Sequence, residues 1–157
     1  KMWLKHYKGE KLVTPHKLIR LRDNNFVVVL SQYDNMQKEQ VRLIKSDLYK
    51  NILDDKKIFT TYPSVINDIK EFSNGTLIGV GYVKDTFNTD ALVMFFDSHL
   101  TMLKQEHFGG ENYDVFNALS ILHNSQIAVV GVHTNKNSQE TNMWITKLNK
   151  DATMAKK

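Results

Sequence analysis

Six histidines, His6, His16, His99, His107, His123 and His133, are the residues best suited to hold a metal or move a proton near neutral pH. None forms a His-x-x-x-His pair, so no two share a helix face at ligand spacing. His123 and His133 fall at opposite ends of one expected strand, and each histidine reads as a turn or surface residue. The chain has no cysteine, which removes thiolate nucleophiles, disulfides and Cys-based zinc sites. Glu10, Asp54, Asp55, Glu106 and Glu111 could supply carboxylates for glycoside hydrolysis. That chemistry needs two carboxyl groups at a set separation across a cleft, and no spacing here brings two together. There is no Gly-x-Ser-x-Gly elbow and no phosphate loop. No catalytic residue, metal ligand or cofactor is therefore expected.

Binding residues are a better prospect. The segment Asp85-Thr86-Phe87-Asn88-Thr89-Asp90 offers oxygen atoms to a cation but lacks the spacing and glycine of a calcium loop. It reads as a solvated loop whose Asn and Asp cap strand ends. Among the aromatics Trp3, Tyr33, Tyr82, Phe87, Tyr113 and Trp144, Tyr82 and Trp144 sit inside strand patterns and are expected to pack. Phe87 stands alone in a polar loop and is the candidate exposed contact for a partner or a glycan. Asn74-Gly75-Thr76 fits a glycosylation sequon, but it sits in a hairpin turn that its composition already explains, and the sequon carries no weight.

The elements that carry these residues repeat. Asp23-Asn24-Asn25, Ser73-Asn74-Gly75 and His123-Asn124-Ser125 are turn triplets whose central Asn recurs at a spacing of 50. An apolar run follows each: Phe26–Leu30, Leu77–Val80 and Ile127–Val130. Each run leads to a small residue, Ser31, Gly81 or Gly131, which suggests close approach of a neighbouring strand. A first strand precedes each triplet, near Leu18–Arg22, Ile69–Phe72 and Leu119–Leu122. After a polar loop comes a third strand, near Gln40–Lys45, Ala91–Phe96 and Met143–Leu148, ending at Asp47, Asp97 or Asn149. A fourth begins at Ile52-Leu53 and Met102-Leu103, with Met2-Trp3 and Met154-Ala155 in the same column. Pro15 and Pro63 are expected just before first strands, where no ladder donor is needed.

Four strands per repeat of about 50 residues favour an all-β fold of propeller type over a sandwich or barrel. The expected units are 1–14, an outer strand of a preceding blade, then blades at 15–62, 63–112 and 113–157, the last with a short final strand. About three blades are too few for a closed ring, so a larger or oligomeric ring is expected. Net charge is +4 and uneven. Residues 1–57 carry 13 Lys/Arg against 7 Asp/Glu, and residues 58–147 carry 5 against 9. The basic residues alternate with apolar ones, as in Lys17–Arg22, rather than forming a basic face, so no nucleic-acid partner is expected. No apolar run is long enough for a membrane-spanning segment.

Phe108-Gly109-Gly110-Glu111-Asn112-Tyr113-Asp114-Val115-Phe116-Asn117-Ala118, with Val129-Val130-Gly131 and Asn142–Asn149, resembles the blade repeat of bacterial Kelch-like β-propeller proteins of the Bacteroidetes type. The third unit matches best. The first departs, with Phe59-Thr60-Thr61-Tyr62 in place of Gly-Gly. The resemblance implies propeller blades, a protein partner or further blades, and an extracytoplasmic location. It implies no one function, because propellers host many. The leading expectation is a non-catalytic scaffold or protein-interaction module of a larger surface or secreted assembly. The alternatives are a carbohydrate-binding propeller and a fragment of a propeller glycan hydrolase or lyase.

Overall fold

A computed structural model describes residues 6, 12–135, 137 and 140–154. The columns read at Met2-Trp3 and Ala155, and Glu10 and Trp3, lie outside the described residues. The described residues form an all-β fold of eleven antiparallel strands in three sheets. The first sheet runs β1 (Val13–Arg20), β2 (Phe26–Tyr33), β3 (Glu39–Ser46) and β4 (Ile52–Ile58) in simple order. The second runs β5 (Ser64–Glu71), β6 (Leu77–Lys84), β7 (Thr89–Phe96) and β8 (Met102–Phe108). The third holds β9 (Asp114–Ile121), β10 (Ile127–Thr134) and β11 (Thr141–Leu148), and a bridge joins Leu148 to Met154. Among the described residues no helix is long and apolar enough to cross a membrane.

The sheets pack face to face. Val27, Val29, Val41 and Leu43 of the first sheet meet Ile66, Leu77, Leu92, Met94 and Phe96 of the second. On the other face of the second sheet, Ile78, Val80, Ala91, Val93 and Phe95 meet Phe116, Leu119, Ile127, Val129 and Leu148 of the third. This is why β7 is apolar at every position from Ala91 to Phe96: both of its faces are covered. Burying each such side chain contributes about 1.5–3 kcal/mol. The outer strands β4 and β8 are largely exposed and correspondingly polar.

Seven hairpin turns share one geometry. In 21–25, 34–38, 47–51, 72–76, 97–101, 122–126 and 149–153 the first residue's N–H donates to the fifth carbonyl, and the fourth N–H donates back to the first. This is a type I turn closed by a left-handed residue. The left-handed seats are Asn24, Gln37, Lys50, Gly75, Leu100, Ser125 and Ala152. A side-chain oxygen locks each loop: Asp34, Asp47 and Asp97 from the first position, and Asp23, Asn74, Asn124 and Asp151 from the third.

This geometry corrects the repeat register. Asn24 is equivalent to Gly75 and Ser125, not to Asn74 and Asn124, so the first unit is one residue out of step. The small-residue column shifts with it. Gly81 pairs with Ile66 and Gly131 with Phe116, whereas Leu30, not Ser31, takes that place opposite Pro15. A Cβ on Gly81 or Gly131 would lie 1.9 Å from the carbonyl oxygen of Val65 or Val115. Pro15 lies inside β1 rather than before it, beside a bulge in that edge strand. The first strands also begin earlier than expected. Each carries a bulge, at His16, Asn67 or Asn117, and the extra residue breaks the alternation that would reveal the strand's first half.

One buried carboxylate ties all three sheets together. Asp68 on β5 accepts from the Leu119 N–H of β9 at 3.0 Å and pairs with Lys17 of β1 at 3.0 Å. Beside it, the Asn67 amide donates to the Phe116 carbonyl at 2.9 Å.

Asp68→Ala should cost about 2–4 kcal/mol in urea unfolding, because it strands a buried N–H and a half-buried ammonium. Gln37→Gly should stabilise by about 0.5–1 kcal/mol, because an exposed side chain there occupies a left-handed seat.

Candidate functional site

The β6–β7 loop stands between two clefts on one rim of the stack. Its shape is set by Asp85, whose Oδ1 accepts from the N–H groups of Phe87 and Asn88 at 2.8 and 2.7 Å. Asn88 in turn donates to Asp90 at 2.7 Å and to the Gly110 carbonyl. With its carboxylates turned onto its own backbone and amides, the loop uses its oxygen atoms for capping. This hydrogen-bonded turn leaves Phe87 in solvent, where it is 94% exposed.

On one side lies a cleft of about 550 Å³ between the second and third sheets. Its walls are the loop 84–89 and Asn112, Tyr113, Thr134 and Thr141. On the other side a cleft of about 400 Å³ lies between the first and second sheets, lined by Tyr33, Glu39, Tyr62, Pro63 and again Lys84–Thr86. The two are related by the repeat, with Tyr33, Lys84 and Thr134 each ending the second strand of its sheet.

The crossings between sheets form the cleft floors. Thr89 N–H donates to the Asn112 carbonyl, and Thr134 N–H to the Tyr113 carbonyl at 3.1 Å. Behind Tyr113, Asp114 is completely buried. One of its oxygens accepts from the Gly110 N–H at 2.8 Å, and the other meets His133 Nδ1 at 2.5 Å. Gly109 is required here: its φ is +149°, and a Cβ would come within 2.4 Å of the Asp114 carboxylate. The first crossing lacks this glycine and is built differently. Thr60 Oγ1 donates to the Tyr62 carbonyl at 2.6 Å and pairs with Ser64 at 2.9 Å, while the Lys38 ammonium holds the carbonyls of Thr60 and Thr61.

The other residues singled out in the sequence scatter. Asp54 lies near His99, Asp55 pairs with Arg42, Glu106 pairs with Lys104, and Glu111 is exposed on the second crossing. Trp144 packs on Phe116 with ring centroids 4.8 Å apart, as its strand pattern implies. Tyr82 is half-buried, and burial raises its hydroxyl above the ordinary value, with Glu39, Tyr113 and Tyr33 acting in the same sense. Among the described residues no three His, Asp or Glu side chains are placed to hold a metal. Sequence reasoning missed the Asp114–His133 pair, because the two face each other only once the β9–β10 register is known. No protein-family model and no curated protein matches the chain.

Asp90 lies beside the larger cleft. Burial pushes its carboxyl above the ordinary value of 3.8; His107 opposes this, while Asp114 and Asp85 add to it. A carboxyl raised in the folded state favours folding when protonated. Its contribution is full below the unfolded value and is lost as pH rises through the folded one. Asp90→Asn keeps an acceptor for Asn88 and removes the charge. Its stability relative to the parent should therefore be greater at neutral pH than in acid, as read from paired urea titrations.

Proposed function

We propose that the three sheets are consecutive blades of a Kelch-like β-propeller, and that the chain is a non-catalytic module that binds a protein partner at the rim. The observation that carries this reading is Phe87, an aromatic ring held out in solvent by a loop that Asp85 and Asn88 anchor with hydrogen bonds. Holding a ring in water on a hydrogen-bonded turn gives nothing back to folding. It does lower the entropy cost of burying that ring against a partner. Three antiparallel meanders of one design, packed face on face with β5 touching both β1 and β9, support the propeller arrangement.

A second reading is favoured by the chemistry of the larger cleft. Two aromatic faces, Phe87 and Tyr113, flank amides and hydroxyls from Asn88, Asn112, Thr86, Thr134 and Thr141. That mixture suits a neutral glycan, which stacks an apolar sugar face and hydrogen-bonds its hydroxyls.

Phe87→Ala should weaken partner binding at least about tenfold while leaving the thermal midpoint unchanged, because a hot-spot ring contributes about 2 kcal/mol or more to a contact. Affinity capture from a native extract with parent and variant, run beside a glycan array, tests it. A partner retained equally by the variant would sink the Phe87 assignment. A glycan bound by the parent alone would select the second reading.

A further inference from the structure

We propose that the outer face of the third sheet docks the first sheet of a second copy of this chain, head to tail, in the same way that each sheet within the chain docks the next. Strand pairing makes Val41, Ala91 and Met143 equivalent, and likewise Leu43, Val93 and Ile145. In the first two sheets these side chains are fully covered by the sheet that follows. In the third, Met143 is 74% exposed and Ile145 67%. Val130, equivalent to the buried Val29 and Val80, lies beside them.

Two polar residues on this face sharpen the identity of the occupant. Asn117 occupies the bulge column of Asn67, whose amide donates to the first-strand carbonyl of the next sheet. Lys147 occupies the column of Lys45, whose ammonium donates to the Ser98 carbonyl in the outer turn of the next sheet at 3.2 Å. Both Asn117 and Lys147 are exposed, and neither has a hydrogen-bond or ionic partner among the described residues. An unrelated apolar surface would satisfy neither. A sheet of this same repeat offers both carbonyls at the required places.

The first sheet of a second copy has the matching face. Leu18, Phe26 and Val28 stand in the columns of Leu119, Ile127 and Val129, the side chains that receive the second sheet's face. Leu18 is 62% exposed. A same-face dimer through the third sheet fits less well, because it sets Lys147 of both copies against apolar surface. Head-to-tail contacts close into rings or run on as filaments. Two copies of the three described sheets make six, within the four to eight of closed propellers. The copy number rests on the propeller reading; the docking face does not.

Light scattering across a concentration series should give twice the 18.2 kDa chain mass. Ile145→Asp and Leu18→Asp should each be monomeric with an unchanged circular dichroism spectrum, since both side chains are exposed in the single chain. An equimolar mixture of the two variants should regain a dimer, because one seam then joins two unaltered faces. A monomeric parent overturns the proposal, as does a Leu18→Asp variant that still dimerises alone. Assemblies larger than two that obey the same complementation support the docking face and overturn the six-sheet ring.

Discussion

A four-stranded sheet with two apolar faces cannot stand alone in water, and this constraint governs the molecule. The second sheet satisfies it completely, being covered on both sides. Phe96 and Leu77 point into one core while Phe95 and Ile78 point into the other. The flanking sheets satisfy it on one side. Everything else in the chain keeps that stack in order. Outer strands are polar because they close each sheet toward solvent. The bulge at Asn67 on β5 turns its amide onto the sheet that follows. Asp68 is the clearest case. It is a charged group in a core region, tolerated because one oxygen meets a lysine from the sheet before and the other a backbone N–H from the sheet after.

The rim follows from the same constraint. Where one sheet hands over to the next, the chain crosses the stack and its backbone groups leave their ladders. Those groups need partners, and each crossing finds them differently. At the second crossing Asn88 and the buried Asp114 hold Gly110, and Gly109 leaves room for the carboxylate. At the first, Thr60, Ser64 and Lys38 do the work with hydroxyls and an ammonium. Two chemically different solutions hold the same path, so the clefts beside them keep their shape while their linings differ. The larger cleft is neutral and amide-rich apart from Lys84 and Asp85; the smaller has Glu39 facing two tyrosines.

Much of this architecture was legible in the residues. The β-branched runs at Phe26, Leu77 and Ile127 and the third strands ending at Asp47, Asp97 and Asn149 lie where the repeat put them, because buried strands and Asx-locked turns leave strong local signals. The exposed loop position of Phe87 was legible too, since a lone aromatic among Asp, Thr and Asn has no apolar neighbour in sequence to pack against. What escaped is non-local. The one-residue offset of the first unit was hidden because Asp23-Asn24-Asn25 offers two asparagines, and only the turn's hydrogen bonds decide which sits at positive φ. The His133–Asp114 pair was hidden because a bulge at Asn117 resets the register between the strands that carry it.

The bulge column joins the folding problem to the assembly problem. A bulge costs a ladder bond and an alternation, and it is retained at His16, Asn67 and Asn117. At His16 the extra residue turns back onto Ser31 of its own sheet. At Asn67 it reaches across to the next sheet. At Asn117 it reaches solvent. The same distortion thus has an internal use, an inter-sheet use and an unfilled one. Burial compounds the difference. Ala91 and Val93 of the second sheet are fully buried, while Met143 and Ile145, which hold the same places in the third, are 74% and 67% exposed. A face built for burial and left exposed is unfavourable to the single chain in proportion to its apolar area. A sheet of the same design laid over Met143 and Ile145 would remove that cost, as the third sheet does for Ala91 and Val93 of the second.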